Sequence, residues 1–153
     1  MSLTITSPDF ASGAEIPRRF TCSGEDRSPA LAWSGVPQGT RSLALIVDDP
    51  DAPAGTWVHW VLYNLPGTHT SLDGNVEKKQ ELANGARQGV NDFRKTGYNG
   101  PCPPPGKPHR YYFRLYALDS ALTLPAGADR KALDRAMVGH VLAHAEWMGR
   151  FQR

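Results

Sequence analysis

A mainly β fold, with antiparallel sheets and short C-terminal α-helices, is predicted by three observations. Leu43–Val47, in SLALIVDD, is a short continuous apolar run of the kind a strand buried on both faces requires. HRYYFRLYAL alternates with period 2, placing His109, Tyr111, Phe113, Leu115 and Ala117 on the more apolar face. Only 128–147 has few breakers together with helical spacing, in Leu133, Met137, Val141 and Leu142. At 153 residues with no internal repeat or linker, the chain is expected to form one domain, 1–153.

In chain order, FTCSGEDRSPALAW reads as a polar turn followed by a short strand around Leu31–Trp33. The Leu43–Val47 strand then stops abruptly in acid and proline, DDPDAP. After this turn-rich stretch, TWVHWVLYN (56–64) is dense in aromatic and β-branched residues, as strands are. Strict alternation there puts Trp57, His59, Val61 and Tyr63 on one face. From Gly67 to Pro108 little periodicity is visible, and structureless stretches beyond ~15 residues are uncommon in compact domains unless they are functional or mobile. That segment ends in GYNGPCPPPGKP, a proline-stiffened loop feeding the strand headed by His109 and Tyr111, an arrangement suited to a pocket mouth. In the C-terminal stretch, Gly139 is expected to divide the helical region into two pieces.

Composition narrows the functional classes. Seventeen Lys and Arg stand against 15 Asp and Glu with five His, so no basic field for a nucleic acid is present. No apolar run approaches the ~18 residues of a membrane span, and MSLTITSPDF lacks a signal-like pattern; the expectation is a soluble, cytoplasmic protein. Cys22 and Cys102 are too few for a disulfide scaffold. Free thiols are the default, although both lie in loops where pairing is geometrically possible.

The polar residues that gather at strand ends carry the candidate chemistry. Asp48, Asp49 and Asp51 cluster after a buried strand, His59 follows within one hairpin, and His109 with Tyr111 heads another apolar face. If they converge, the two histidines and the tyrosine hydroxyl would donate to an anion, with backbone N–H groups around Gly100 completing the site. Asp49 would then orient a histidine and hold its proton, or share a proton with the ligand. A metal site lacks any ligand-spacing signature, so neither metal nor cofactor is expected. His140 and His144 stand four apart in HVLAH, but Val141 occupies the place of the glutamate a zinc-peptidase motif needs. No G-x-S-x-G elbow and no GxxxxGK[ST] loop occurs.

Taken together and in order, DDPDAP, WVHWVLYNLP, ARQGVNDF, GYNGPCPPP and HRYYFRLYALD resemble the phosphatidylethanolamine-binding protein (PEBP) family, in its bacterial Raf kinase inhibitor-like branch. The resemblance runs from FTCSGEDRSPALAW through AMVGHVLAHAEWMGRFQR. It implies a PEBP-like β-sandwich and a small pocket for phosphate-type groups such as phosphorylethanolamine. Carried over residue by residue, the ligand-binding set would be Asp49, Pro53, His59, Gly100, Pro103, His109 and Tyr111, with Ala52–Pro53 a candidate cis bond. Pro103 is preferred over Pro101 and Pro104 as the proline lining the pocket. Arg94 stands where the branch commonly has Gly, and its side chain is expected in solvent. The implied function is a non-enzymatic binding protein for a phosphate-type small molecule, a lipid headgroup or a phosphorylated partner. Regulation of a kinase or other protein and homodimerisation are further implications. The alternative is a hydrolase or phosphoryl-transfer enzyme using an Asp/His pair in the same pocket.

Overall fold

The computed structural model describes residues 2–153. Eight strands and one α-helix among the described residues follow the order β1 (Thr4–Thr6), β2 (Leu31–Ser34), β3 (Ser42–Asp49), β4 (Trp57–Pro66), β5 (Ser71–Leu72), β6 (Arg87–Gln88), β7 (His109–Leu118), α1 (Arg130–Met137) and β8 (Val141–Phe151), with a short 3-10 turn at Arg18–Phe20 between β1 and β2. They form two antiparallel sheets, β1-β2-β5 and β6-β4-β3-β7-β8. Between them lies the main core, in which Ile5, Leu31 and Trp33 from the small sheet meet Leu43, Leu45, Val47, Trp60, Phe113 and Leu115 from the large one.

Alternation in the two central strands decides which residue faces which layer. Along β3, Leu43, Leu45 and Val47 point into the sandwich, while Ala44 and Ile46 point outward, where Leu133 and Met137 of α1 cover them. β7 follows the alternation its sequence predicts, with Tyr111, Phe113, Leu115 and Ala117 inward. β4 does not. Its register against β3 slips between Val47↔Trp60 and Asp48↔Val58, a bulge that leaves His59 as the extra residue. Trp60 and Leu62 consequently enter the inner core, and Val61 and Tyr63 join Val58 on the outer face, so the single face expected for Trp57, His59, Val61 and Tyr63 is split.

The C-terminal region also differs from expectation. Asp129 caps α1 by accepting from the Ala132 N–H at 2.9 Å, and the helix ends at Met137. Gly139, at φ +82°, turns the chain into β8, so the second helical piece is a strand, and His140 and His144 never share a helix face. Val141 and Leu142, whose spacing suggested a helix, are exposed; Ala143, Ala145 and Trp147 alternate inward instead, against the main core. A ladder with β7 running from His109↔Phe151 to Leu118↔Val141 outweighs the helix propensity of the alanines.

The long segment between β4 and β7 is ordered by backbone and side-chain hydrogen bonds together. Gln88 accepts from Trp60 Nε1 at 2.7 Å and donates to the Glu77 and Lys79 carbonyls. No helix among the described residues is long and apolar enough to cross a membrane.

Candidate functional site

Because β3, β4 and β7 are antiparallel neighbours, the end of β3 and the beginnings of β4 and β7 lie at one edge of the large sheet. A cavity of about 330 Å³ opens there. Asp49, His59, His109 and Tyr111 form its polar wall, and Pro53, Trp57, Phe93, Pro103 and Pro104 are among its apolar lining. Six of the seven residues singled out from the sequence therefore surround one space.

His109 Nδ1 donates to Asp49 Oδ2 at 2.6 Å, with both side chains almost wholly buried. The other Asp49 oxygen accepts the Asp51 N–H at 2.8 Å, which fixes the carboxylate plane. His59 Nδ1 donates to the Asn99 carbonyl at 2.6 Å, and its ring packs edge-on against Phe93 and Tyr111, each with centroids 5.3 Å away. Burial pushes the His59 pKa below the ordinary histidine value, partly offset by the Asn99 carbonyl and the Asp49 charge. The Tyr111 hydroxyl is buried without a hydrogen-bond partner. Its proton is held more tightly than a free phenol's, first by burial and then by the neighbouring Asp49 carboxylate, whose charge and hydrogen-bonding pull both oppose ionisation although no hydrogen bond of good geometry joins the two. A buried hydroxyl left unsatisfied is costly, and in native proteins it calls for a reason.

Gly100 is the exception. It is buried, and its N–H donates to Asp26 Oδ1 at 2.7 Å, so that group is not available to an anion in the cavity. A side chain at this position would place a Cβ 2.0 Å from the Phe20 carbonyl oxygen, so glycine serves close packing of the loop. Pro103 and Pro104 both line the cavity, whereas Pro101 is buried and its carbonyl accepts the Cys22 N–H at 3.0 Å. That contact brings the two cysteine loops together. Cys22 and Cys102 are joined, with Cα atoms 5.3 Å apart, so the expected free thiols are a disulfide, and Cys102 contributes to the cavity wall. The Ala52–Pro53 bond is trans, since no cis peptide bond occurs among the described residues; the turn is closed instead by the Gly55 N–H on the Ala52 carbonyl, with Gly55 at φ +110°.

The acidic cluster separates into three roles. Asp48, next to Asp49 but on the opposite face, receives Arg114 through Nε at 3.0 Å and Nη2 at 3.1 Å, and Arg130 at 2.6 Å, which ties α1 to the sheet. Asp51 is bound by Arg110 on the exposed side, and the Arg110 hydrogen bonds lower its pKa to about 2. Asp49 alone belongs to the cavity.

Sequence reasoning did not assign Phe93, Asp26, Asn91 or Asn99 a place in the site. Asn91 Oδ1 accepts the Phe93 N–H at 2.9 Å and the Lys95 N–H at 3.2 Å, an Asx turn that presents Phe93 to the cavity. The NDF triplet carried that signal. Arg94, exposed at φ +62°, completes the turn and extends into solvent, as expected.

With this geometry in view, comparison with known proteins gives a consistent answer. The family profile described as phosphatidylethanolamine-binding protein matches residues 6–152. A UPF0098 protein of Methanothermobacter thermautotrophicus is 51% identical over 144 residues, covering 94% of this chain and 95% of its own. Another from Aquifex aeolicus is 46% identical, covering 99% and 89%. Among solved structures, a PEBP homologue from Chlamydia trachomatis superposes with a TM-score of 0.91 at 39% identity, over 99% of this chain and 98% of that one. E. coli YBCL, described as a new member of the mammalian PEBP family, gives 0.92 at 34% identity, over 100% and 99%. Profile, relatives and architecture agree along essentially the whole chain, and the protein belongs to the phosphatidylethanolamine-binding protein family.

Proposed function

We propose that this chain is a non-enzymatic binding protein whose cavity takes the phosphate group of a small molecule or headgroup. The observation that carries the reading is the Tyr111 hydroxyl, buried and unpartnered in the wall of a cavity it shares with His59, His109 and Asp49. A ligand oxygen entering there would satisfy it. The Asp49–His109 bond supports the same reading, since a carboxylate behind the ring fixes its orientation in the cavity wall. Pro53, Trp57, Phe93 and Pro104 suit an apolar group attached to the phosphate. A covalent mechanism on the same Asp/His pair would need a side-chain nucleophile, and the one cysteine in the cavity wall, Cys102, is held in the disulfide.

An amide NMR titration with inorganic phosphate and O-phosphorylethanolamine, on wild type and His109→Ala, tests the reading. Saturable shifts confined to 49–59 and 91–111 and lost in the variant are expected. A dissociation constant in the millimolar range, about 4 kcal/mol, suits so small a site. Unperturbed His59, His109 and Tyr111 resonances at tens of millimolar ligand would refute it.

A further inference from the structure

We propose that the cavity selects ligands that bring their own proton: a phosphomonoester carrying a P–OH, in preference to a phosphodiester or a sulfate. The proposal rests on the phosphate-binding reading above and concerns which form of phosphate the wall accepts.

A carbonyl only accepts, so the 2.6 Å contact between His59 Nδ1 and the Asn99 oxygen places the ring proton on Nδ1. In the neutral ring, Nε2 is then a bare lone pair. The Asn99 carbonyl is held firmly. Asn99 Nδ2 donates to Asp26 Oδ2 at 3.1 Å, Asn99 Oδ1 accepts from Asn91 Nδ2 at 2.8 Å, and the Gly100 N–H donates to Asp26 Oδ1 at 2.7 Å. An ionised Asp26 can only accept, so each amide in the relay has one permitted orientation, and the same relay positions Phe93 through Asn91. Phe93 and Tyr111 stand edge-on to the His59 ring and hinder its rotation. Burial independently disfavours a second proton on this ring.

On the other side of the cavity, the His109 Nδ1 proton is committed to Asp49. What the wall offers is therefore the Tyr111 hydroxyl, the acceptor Nε2 of His59, and His109 Nε2, which accepts in the neutral ring and donates only when that ring carries a second proton. A fully deprotonated oxyanion consists of acceptors only and would set an oxygen lone pair against His59 Nε2. A P–OH supplies the missing donor. Phosphomonoesters lose their last proton near pH 6, so a substantial fraction still carries it at mildly acidic to neutral pH. Sulfate and phosphodiesters have none to give. The rule separates a released phosphomonoester from the same headgroup still esterified in a lipid.

The test uses the full chain at about pH 6 and three probes that contain no N–H: methyl phosphate, dimethyl phosphate and sulfate. Dimethyl phosphate matches the charge of the monoester monoanion and sulfate that of its dianion. Amide shifts give affinities, and long-range proton–nitrogen spectra give the His59 tautomer. Methyl phosphate is expected to bind with His59 still protonated at Nδ1 alone, and the other two at least about tenfold more weakly, the usual cost of an unmatched buried acceptor. In Asp26→Asn, the single His59 tautomer is expected to be lost; an unchanged spectrum overturns the role given to the Asp26 relay. Equal affinity for sulfate and methyl phosphate, or a proton appearing on His59 Nε2 upon binding, overturns proton selection while leaving phosphate binding intact. Failure of all three probes to bind overturns both.

Discussion

Breaking the Cys22–Cys102 bridge is expected to cost stability through the unfolded chain. The bridged residues are 80 apart in sequence, and in the chain-entropy description a closed loop of that length restricts the denatured ensemble by about 4.5 kcal/mol. The folded state keeps the two segments together without the covalent bond. Tyr98 Oη donates to the Phe20 carbonyl at 2.6 Å, the Gly100 N–H to Asp26, and the Cys22 N–H to Pro101. Urea unfolding of the oxidised protein, of the same protein under dithiothreitol, and of the Cys22→Ser/Cys102→Ser variant measures the difference. With a slope near ~2 kcal/mol/M, the midpoint should fall by roughly 2 M. The slope itself should rise slightly, because the uncrosslinked chain exposes more surface. The native amide spectrum should persist without urea. A midpoint shift below about 0.5 M, equivalent to about 1 kcal/mol, would refute the reasoning and mean that these segments remain associated after unfolding.

Three further outcomes follow from the same geometry. Tyr111→Phe removes a buried hydroxyl that has no partner, so it should leave stability unchanged or raise it by about 1–3 kcal/mol while weakening phosphate binding; urea melts and the phosphate titration check both halves. Asp48→Ala removes the buried carboxylate shared by Arg114 and Arg130, each about a quarter exposed, and leaves them only the exposed partners Glu146 and Asp134; a loss of about 2 kcal/mol is expected, seen by calorimetry as a fall of roughly 4–8 °C. The folded pKa of His59 lies below the unfolded value, so the unfolded chain binds the proton first as pH drops. Its contribution is whole above about pH 6.5 and declines below it by up to ~1.4 kcal/mol per pH unit until the folded ring titrates; a His59→Gln variant showing the same pH slope as wild type between pH 7.5 and 5 would contradict this.

How much was legible depended on whether a local pattern or a distant partner decided the outcome. β3 and β7 were visible because each states its own burial, one as a continuous apolar run and the other as a clean alternation that already placed Tyr111 inward. β8 was hidden because its alanines favour a helix when read alone, and only the waiting edge of β7 makes them a strand. The bulge at His59 left no local mark, since its cause is the registry between β3 and β4 on either side of Trp60. Asp48, Asp49 and Asp51 read as one acidic cluster, and the arginines that divide them, Arg114, Arg130 and Arg110, all lie 59 or more residues further along the chain. Gly100 was drawn into the site by its loop, although the reason for glycine there is the Phe20 carbonyl on its far side. The disulfide had the same character, a pairing over 80 residues that depends on the Cys22–Pro101 contact.

Apart from Trp57 at the start of β4, the polar wall and the apolar rim of the cavity come from different kinds of backbone. Asp49, His109 and Tyr111 are fixed in ladders, and His59 in the bulge between two ladder pairs, where a one-residue slip would exchange Asp48 for Asp49 and expose an arginine network to the cavity. Ala52, Pro53, Phe93, Pro103 and Pro104 sit on connections that tolerate changes of length. Lineages can therefore diverge in what they admit at the entrance while retaining the same chemistry beneath it, and an engineer wishing to retune this protein should graft loops and leave the strands untouched.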